Sequence, residues 1–490
     1  MTTLLADAWT RPDTRLPMGF AVRLASGTKV ADGGTTLFGS TTGRLLYLSP
    51  SAVAALDGDL LRVVDETSGT LARTLLDRDM AHPTWDGTLP GDDPDDLALV
   101  TVVVPVRDRP QQLRRLLAEL STMLRVVVVD DGSTDQTTVA RVALESDALL
   151  VRHPVSRGPA AARNAGLAAT HTPFVAFVDS DVVPEPGWVT ALLRHFDDPT
   201  VGIAAPRVLG TEAGDGGSWL HRYEAVRSSL DLGPSPALVR PHGRVAYVPS
   251  AALMVRRAAW TAGFDESMRV AEDVDLVWRT VADGWRVRYE PQAVVRHEHR
   301  TDVRNWLGRK AFYGTGAALL AERHGDAVAP MVLTPWTAAL AGTLLTQRWW
   351  SVPVGVAVYA GTTVNVSRRL HRSRRPLVTA ASMTVVGAVA TGYQTASALT
   401  RHYWPVAAVA AVVSPRARRA LLLAAVVDGV LDYRRTRPAL DPVRYIAARR
   451  LDDLAYGAGV WYGALRARSP RALLPSWQGV DVLRTSTRRI

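Results

Sequence analysis

The clearest pattern along the chain is a set of short, nearly unbroken apolar runs. LALVTVVVPV (97–106), RVVVVDD (125–131), ALLVRH (148–153) and PFVAFVDSD (173–181) show little apolar–polar alternation. A strand buried on both faces of a parallel sheet reads this way, whereas a half-solvated strand alternates. Between the runs the spacing becomes helical. In RPQQLRRLLAEL (109–120), Leu113, Leu116, Leu117 and Leu120 share one face, and further helices are expected around 134–146 and over 158–170. The order β-α-β-α-β-α-β predicts a doubly wound α/β sheet. Such sheets bind ligands beyond the carboxyl ends of their strands. Asp108, Asp130, Asp131, Asp179 and Asp181 all fall at such ends.

The flanks follow other patterns. Residues 1–97 read as a small α+β unit. FAVRL (20–24) and TTLFG (35–39) are candidate strands flanking the turn ADGG (31–34). LSPSAVAAL (48–56) predicts a helix with Ser49 as N-cap and Pro50 at its first position, and a second helix is expected over 67–78. DGTLPGDDPDD (86–96) has the Gly, Pro and Asp content of a linker into a catalytic region spanning 98–305. Beyond it, 327–347, 349–367 and 376–400 carry no charge. Each approaches the ~20 residues needed to cross a bilayer. A fourth stretch, 402–426, is interrupted by Arg416, Arg418 and Arg419. If the loop RRLHRSRR (368–375), with its five arginines, is cytoplasmic by the positive-inside rule, the N-terminal units are expected on the same side of a membrane. Thus 306–430 is expected to be helical and membrane-associated, with a soluble or peripheral helical domain as the alternative, and 431–490 to be an Arg-rich, partly helical tail.

Composition narrows the chemistry. The 490 residues carry a net charge of +10, and Lys29 and Lys310 are the only lysines. No known nucleic-acid-binding motif accompanies that charge, so no nucleic-acid partner is expected. The absence of cysteine excludes disulfides, thiolate metal sites and thiol nucleophiles. The start, MTTLLADAWTRPDTR, lacks the basic end and long apolar core of a signal peptide.

Several motifs occur in order: TVVVPVRDRP (101–110), VVVVDDGSTDQT (126–137), SRGPAAARNAGLAA (156–169), VDSD (178–181), GFDESM (263–268) and AEDVDLVWR (271–279). Together they resemble family 2 glycosyltransferases with the GT-A fold. That resemblance implies an enzyme taking its sugar from a nucleotide-sugar donor, with VDSD matching the metal-binding Asp-X-Asp. A divalent cation held by carboxylates would neutralise the donor diphosphate, and hard oxygen ligands favour Mg²⁺ or Mn²⁺. Asp181 is the first candidate ligand, Asp179 reaches the metal or a ribose, and His297 matches a late metal-site histidine. His299 is its rival, and both also read as histidines in a charged surface loop. Asp131 matches the residue that binds uracil or ribose, with Asp130, Asp108 and Pro105 lining the same pocket. Asp135 is expected to cap a helix. Arg157 and Arg163 face the donor, although a helical arginine is also ordinary solvated surface. Gly158 and Gly166 serve close backbone or helix packing.

An inverting transfer needs one carboxylate to take the acceptor hydroxyl proton. Asp273 is the expected base, with Glu272 beside it; an acidic first turn favoured by the helix dipole is the alternative. Trp278 and Asp265 are assigned to the acceptor side and Arg279 to the donor phosphate. No separate nucleophile stands out for a retaining mechanism. The N-terminal unit, through RLLYLSPSAVAAL (44–56), resembles small domains that bind ribosomal peptide precursors. The whole chain resembles the mycofactocin-system glycosyltransferases. This implies β-1,4-linked glucose units moved from a UDP-sugar onto a ribosomal-peptide-derived redox cofactor, its precursor or a carrier protein. A membrane enzyme acting on a lipid-linked or cell-wall glycan shares the core motifs. A nucleotidyltransferase and a non-enzymatic binding module are further alternatives.

Overall fold

The computed structural model describes residues 14–39, 43–85, 93–120, 124–211, 217–260, 262–298, 302–370 and 372–478. Most of the proposed linker (86–92), His299 and the last twelve residues (479–490) lie outside them.

The N-terminal unit contains β1 (Ala21–Leu24), β2 (Thr28–Ala31), β3 (Thr36–Gly39), β4 (Arg44–Tyr47), α1 (Pro50–Ala54), β5 (Leu56–Asp57), β6 (Leu60–Arg62), α2 (Glu66–Asp77) and β7 (Ala81–Pro83). Ser49 caps α1 as expected, accepting from the Ala52 amide at 3.2 Å. The turn at 31–34 joins β2 to β3, however, and β1 belongs to a second sheet of order β5-β6-β1-β7. The true hairpin partner, Thr28–Ala31, has no buried residue and hence no apolar signal. Val22, Leu71, Leu75 and Leu76 close the core of this unit.

The catalytic region begins with α3 (Pro94–Ala98) and continues through β8 (Val100–Val106), α4 (Pro110–Glu119), β9 (Arg125–Asp131), α5 (Gln136–Glu145), β10 (Leu149–His153), α6 (Pro159–Ala168) and β11 (Phe174–Val178). Strands β10, β9, β8 and β11 lie parallel in that order. The first strand therefore sits between the second and fourth, which makes a topological switch point between β8 and β11. Next come β12 (Val182–Pro184), α7 (Trp188–Leu193), β13 (Val201–Gly210), α8 (Trp219–Arg227), β14 (Ala237–Val239), β15 (Ala252–Arg256), α9 (Glu272–Ala282) and β16 (Arg286–His297). They extend the sheet to nine strands, with β15 antiparallel to both β11 and β13. The doubly wound expectation holds for the first half, and the second half adds the mixed pairing of the GT-A fold.

The remaining chain forms α10 (Val303–His324), β17 (Val332–Leu333), α11 (Pro335–Leu345), α12 (Ser351–Arg369), α13 (Pro376–Ser397), α14 (Trp404–Val413), α15 (Pro415–Thr436), α16 (Pro442–Arg466) and β18 (Ser476–Trp477). Among the described residues, only the helix Pro376–His402 is long and apolar enough to cross a bilayer. The three-span expectation is corrected accordingly. Thr334 and Thr337 form a capping box that starts α11 late, leaving it 11 residues long, about half a bilayer core at 1.5 Å per residue. In α12, Gly355, Gly361, Thr362, Thr363, Asn365 and Ser367 dilute the apolar content.

Helices α10 and α16 cross with backbone contact. A Cβ on Gly459 would lie 1.8 Å from the Ala311 carbonyl oxygen, one on Gly314 2.1 Å from that of Tyr456, and one on Gly463 2.8 Å from that of Thr315. Lys310 is buried in this crossing, 3.2 Å from Glu224 of α8 and 3.0 Å from Asp452 of α16. The C-terminal helices are thereby locked to the catalytic region.

The N-terminal unit docks through ion pairs. Arg73 of α2 donates to both oxygens of buried Asp198 at 2.7 and 2.8 Å, and Arg286 donates to Asp77 at 2.7 Å. Burial would raise the Asp198 carboxyl, but the bonds from Arg73 and Thr200 hold it down at about 2. A depressed value stabilises the fold above the unfolded value and is lost as pH falls through the folded one. Arg73→Ala is expected to cost about 3 kcal/mol, because it strands a buried carboxylate. In urea melts the wild type should lose the corresponding increment between about pH 4 and pH 2, and Arg73→Ala should not.

Candidate active site

The sheet ends that the aspartates occupy open into one cleft of about 960 Å³. Its floor is the end of β11. Val175, Ala176, Phe177 and Val178 are fully buried, which fixes the turn carrying Asp179 and Asp181. Two like charges there require compensation. Arg163 of α6, itself buried, donates to Asp179 at 2.6 Å. Arg109, between β8 and α4, pairs with Asp181. His297, at the end of β16, sits across the β12–β16 pairing with its Nε2 3.7 Å from Asp181.

A second anchor forms at the end of β9. Asp131 accepts hydrogen bonds from the Ser156 hydroxyl at 2.7 Å and from the Arg157 and Gly158 amides at 2.9 Å. His153 Nδ1 lies 2.7 Å from the oxygen that also accepts from the Arg157 amide. Burial pushes this carboxyl up, but the four partners outweigh it and hold it below its ordinary range. Gly132 makes the approach possible, since a Cβ there would lie 2.5 Å from the Ser156 nitrogen.

The opposite wall is the start of α9. Ala271 adopts φ 62°, a left-handed conformation unusual for a residue with a side chain. The turn it makes swings Glu272 and Asp273 into the cleft, and α10 packs over it at Gly316, where a Cβ would lie 2.9 Å from that of Ala271. Glu272 accepts from Arg163 at 3.3 Å. Asp273 accepts from the amides of Ser250 at 3.2 Å and Val274 at 2.8 Å. Burial raises both carboxyls, and the negative charge of Asp273 raises Glu272 further, against the pull of Arg163.

Pro105, Asp131, Arg163, Asp179, Asp181, Glu272, Asp273, Trp278 and His297 thus share the cleft. Five other expected residues do not line it. Asp108 accepts from the Thr134 amide at 2.7 Å while its own amide donates to Ser133 at 2.9 Å, joining two loops. Asp130 lies beneath the surface and accepts from the Ser133 amide. The Arg157 side chain turns outward to Glu266 at 2.8 Å. Arg279 binds Asp275 and the Gly263 carbonyl, each at 2.8 Å. Asp265 caps Ser267 and pairs with Arg323 of α10 at 2.6 Å. All five face neighbouring loops or helices, a direction that spacing along the chain does not report. Gly166 packs against Val103, and Asp135 caps α5, as expected. Conversely, Arg107, Arg109, Arg269, Tyr247, Tyr313, Arg401 and Tyr456 line the cleft unanticipated. Only Arg109, next to the helix-starting Pro110, carried any local signal.

Among the described residues no three carboxylate or imidazole groups gather closely enough to enclose a metal. Hard cations such as Mg²⁺ use one or two carboxylates together with substrate phosphates. Asp181, with His297 3.7 Å away, is a donor of that incomplete kind.

Paired aspartates at a switch point thus face an acidic helix start across one cleft. The family model "Glycosyl transferase family 2" matches residues 101–263. The chain is 46% identical over 478 residues to the pre-mycofactocin glycosyltransferase of Mycobacterium tuberculosis (strain H37Rv), covering 94% of this chain and 98% of that one. The protein belongs to the family 2 glycosyltransferases, in the group of that relative, and is a glycosyltransferase. The succinoglycan biosynthesis protein ExoU of Rhizobium meliloti is 27% identical over 241 residues, covering 45% of this chain and 69% of that one. A solved structure of the mannosyltransferase PcManGT from Pyrobaculum calidifontis, in complex with GDP-Man and Mn²⁺, aligns with a TM-score of 0.37 at 20% identity, covering 63% of this chain and 89% of that one.

If a carboxylate of the α9 pair acts as base, it must be ionised, so activity falls as pH drops through its raised value. The acid limb of kcat/KM is expected above the ordinary Asp range of about 3.9. Glu272→Gln removes a neighbouring negative charge and should move the limb downward. A wild-type limb at or below the ordinary range would contradict the assignment.

Proposed function

We propose that the protein moves a glucosyl group from a UDP-sugar onto pre-mycofactocin or its peptide-derived precursor, β-1,4-linked as the chain grows, with inversion at the anomeric carbon. The near full-length identity to the relative of that name carries the acceptor. The geometry supports the chemistry. Asp131 and Pro105 flank the space for the nucleoside, Arg109 faces the diphosphate beside Asp181, and buried Arg163 braces Asp179 from behind. Asp181, Asp179 and His297 would hold a divalent cation, which when bound supplies charge neutralisation at the leaving phosphate. Asp273 takes the proton from the acceptor hydroxyl as its oxygen attacks. Glu272, tied to Arg163, fixes the orientation of the helix start.

We also place the C-terminal helices against a membrane with the cleft on the cytoplasmic side. Val406, Val409, Val412 and Val413 of α14 are exposed, and Arg368, Arg369, Arg372, Arg374 and Arg375 flank the apolar helix that follows them.

Asp273→Asn and Asp181→Ala are each expected to lower kcat by about 10³-fold. Asp181→Ala should also weaken Mn²⁺-dependent binding of the donor. The decisive assay offers a panel of UDP-sugars with pre-mycofactocin and follows product mass and nucleoside diphosphate release. Pyrophosphate release, or radiolabelled sugar appearing instead in the lipid fraction of membranes, would overturn the reading.

A further inference from the structure

The cleft does not end at Asp273. It continues past the start of α9 to a wall built by the C-terminal helices, with Phe312 and Tyr313 from α10, Tyr456 from α16 and Arg401 from the end of the α13 helix. Tyr247, from the loop before β15, faces the same space. These groups are close neighbours. Burial first, then the charge of Asp273 and the nearby Tyr456 and Tyr313, raise the Tyr247 phenol, with Arg401 opposing.

The wall is tied down by packing and ion pairs. Arg401 stands on a π-helical turn, Ala398–His402, a geometry often found at functional sites. Its guanidinium lies 3.8 Å from the Tyr456 ring centroid and is held by Asp453 at 3.0 Å and Asp452 at 3.7 Å. Lys310 links Asp452 to Glu224 of the catalytic region. The glycine contacts of the α10–α16 crossing bring Tyr313 and Tyr456 together, because Gly314 follows Tyr313 and packs on the Tyr456 carbonyl. Yet the rings do not complete a core: Phe312 is 40% and Tyr313 37% exposed. Arg401 is paired with carboxylates, and Arg309 lies over the Phe312 and Tyr313 rings, so the wall combines ring faces and hydroxyls with cations stacked on them.

We propose that Tyr247, Tyr313 and Tyr456, with Arg401 stacked on Tyr456 and Arg309 on Tyr313, form the acceptor subsite, which takes the acceptor by a flat apolar ring face and presents its hydroxyl to Asp273. The C-terminal helices are then part of the substrate site. The flat face is that of a pyranose or an aryl ring, since both stack on aromatic side chains. This inference rests on the glycosyl-transfer reading.

The test uses the full-length protein. With pre-mycofactocin as acceptor, Tyr456→Ala and Tyr313→Ala should each raise the acceptor KM about tenfold, as loss of one stacking contact would. The Kd for UDP, by calorimetry, should stay within about twofold, a small fraction of that tenfold step. Tyr456→Phe, which keeps the ring, should restore the wild-type KM. An acceptor KM unchanged in both alanine variants overturns the proposal. If Tyr456→Ala fails to fold, the more exposed Tyr313→Ala decides alone. If the wild type binds UDP but turns over no pre-mycofactocin, the functional reading fails, and ring probes then judge the subsite separately. In saturation-transfer NMR with UDP present, methyl glucopyranoside and benzyl alcohol report the two ring types. Signal on either ring that is lost in Tyr313→Ala supports the subsite and identifies the ring it prefers. Signal on neither overturns it.

Discussion

One guanidinium, that of Arg163, is closed off from water between the carboxylates of Asp179 and Glu272. Burying an isolated cation costs several kcal/mol, and only paired charges with good geometry offset it. Burial draws the Arg163 proton affinity down, while Asp179 and Glu272 raise it beyond the ordinary value. Each carboxylate would in turn be an uncompensated charge without the arginine. The turn after β11 and the start of α9 are therefore fixed relative to each other, although they lie about ninety residues apart. Everything the cleft does depends on that separation.

A second constraint acts on the same helix start. Ala271 holds a backbone conformation that a side chain disfavours, and such strain persists only where the surroundings enforce it. The enforcement comes from α10. Gly316 packs on Ala271, His324 lies 2.9 Å from Asp275, and Arg323 pairs with Asp265. Helix α10 is itself clamped to α16 through glycines and buried Lys310. The C-terminal helices thus bear on the geometry of the acidic pair, whatever surface their outer faces meet.

The strand-end aspartates were legible because two simple patterns coincide on them. Unbroken apolar runs mark buried strands, and ligands in such sheets bind beyond the strands' carboxyl ends. Asp131, Asp179 and Asp181 reach the cleft on that logic. Asp108 and Asp130 satisfy the same pattern but serve the loops, accepting from the Thr134 and Ser133 amides. Arg279 and Asp265 show the same ambiguity: resemblance to the family motifs assigned them to the site, while their side chains turn to α9, α10 and adjacent turns. The uncharged C-terminal segments misled for a related reason. Lack of charge marks a possible span, but a capping box and scattered Gly, Thr and Asn set where the helices begin and how apolar they are.

The sequence by itself determined the strand–helix alternation, the location of the site at the strands' carboxyl ends, the paired aspartates and the acidic helix start. These are local signals, carried by apolar period, turn chemistry and residues within a few positions of one another. Only the tertiary structure decided which charges neutralise those aspartates, and that residues 313, 401 and 456 share the cleft with residue 273. Those relations join groups far apart in the chain, and they follow from helix crossings whose closeness depends on atoms that glycine lacks. A periodic pattern tells which face of a helix is buried, but not which distant element will cover it.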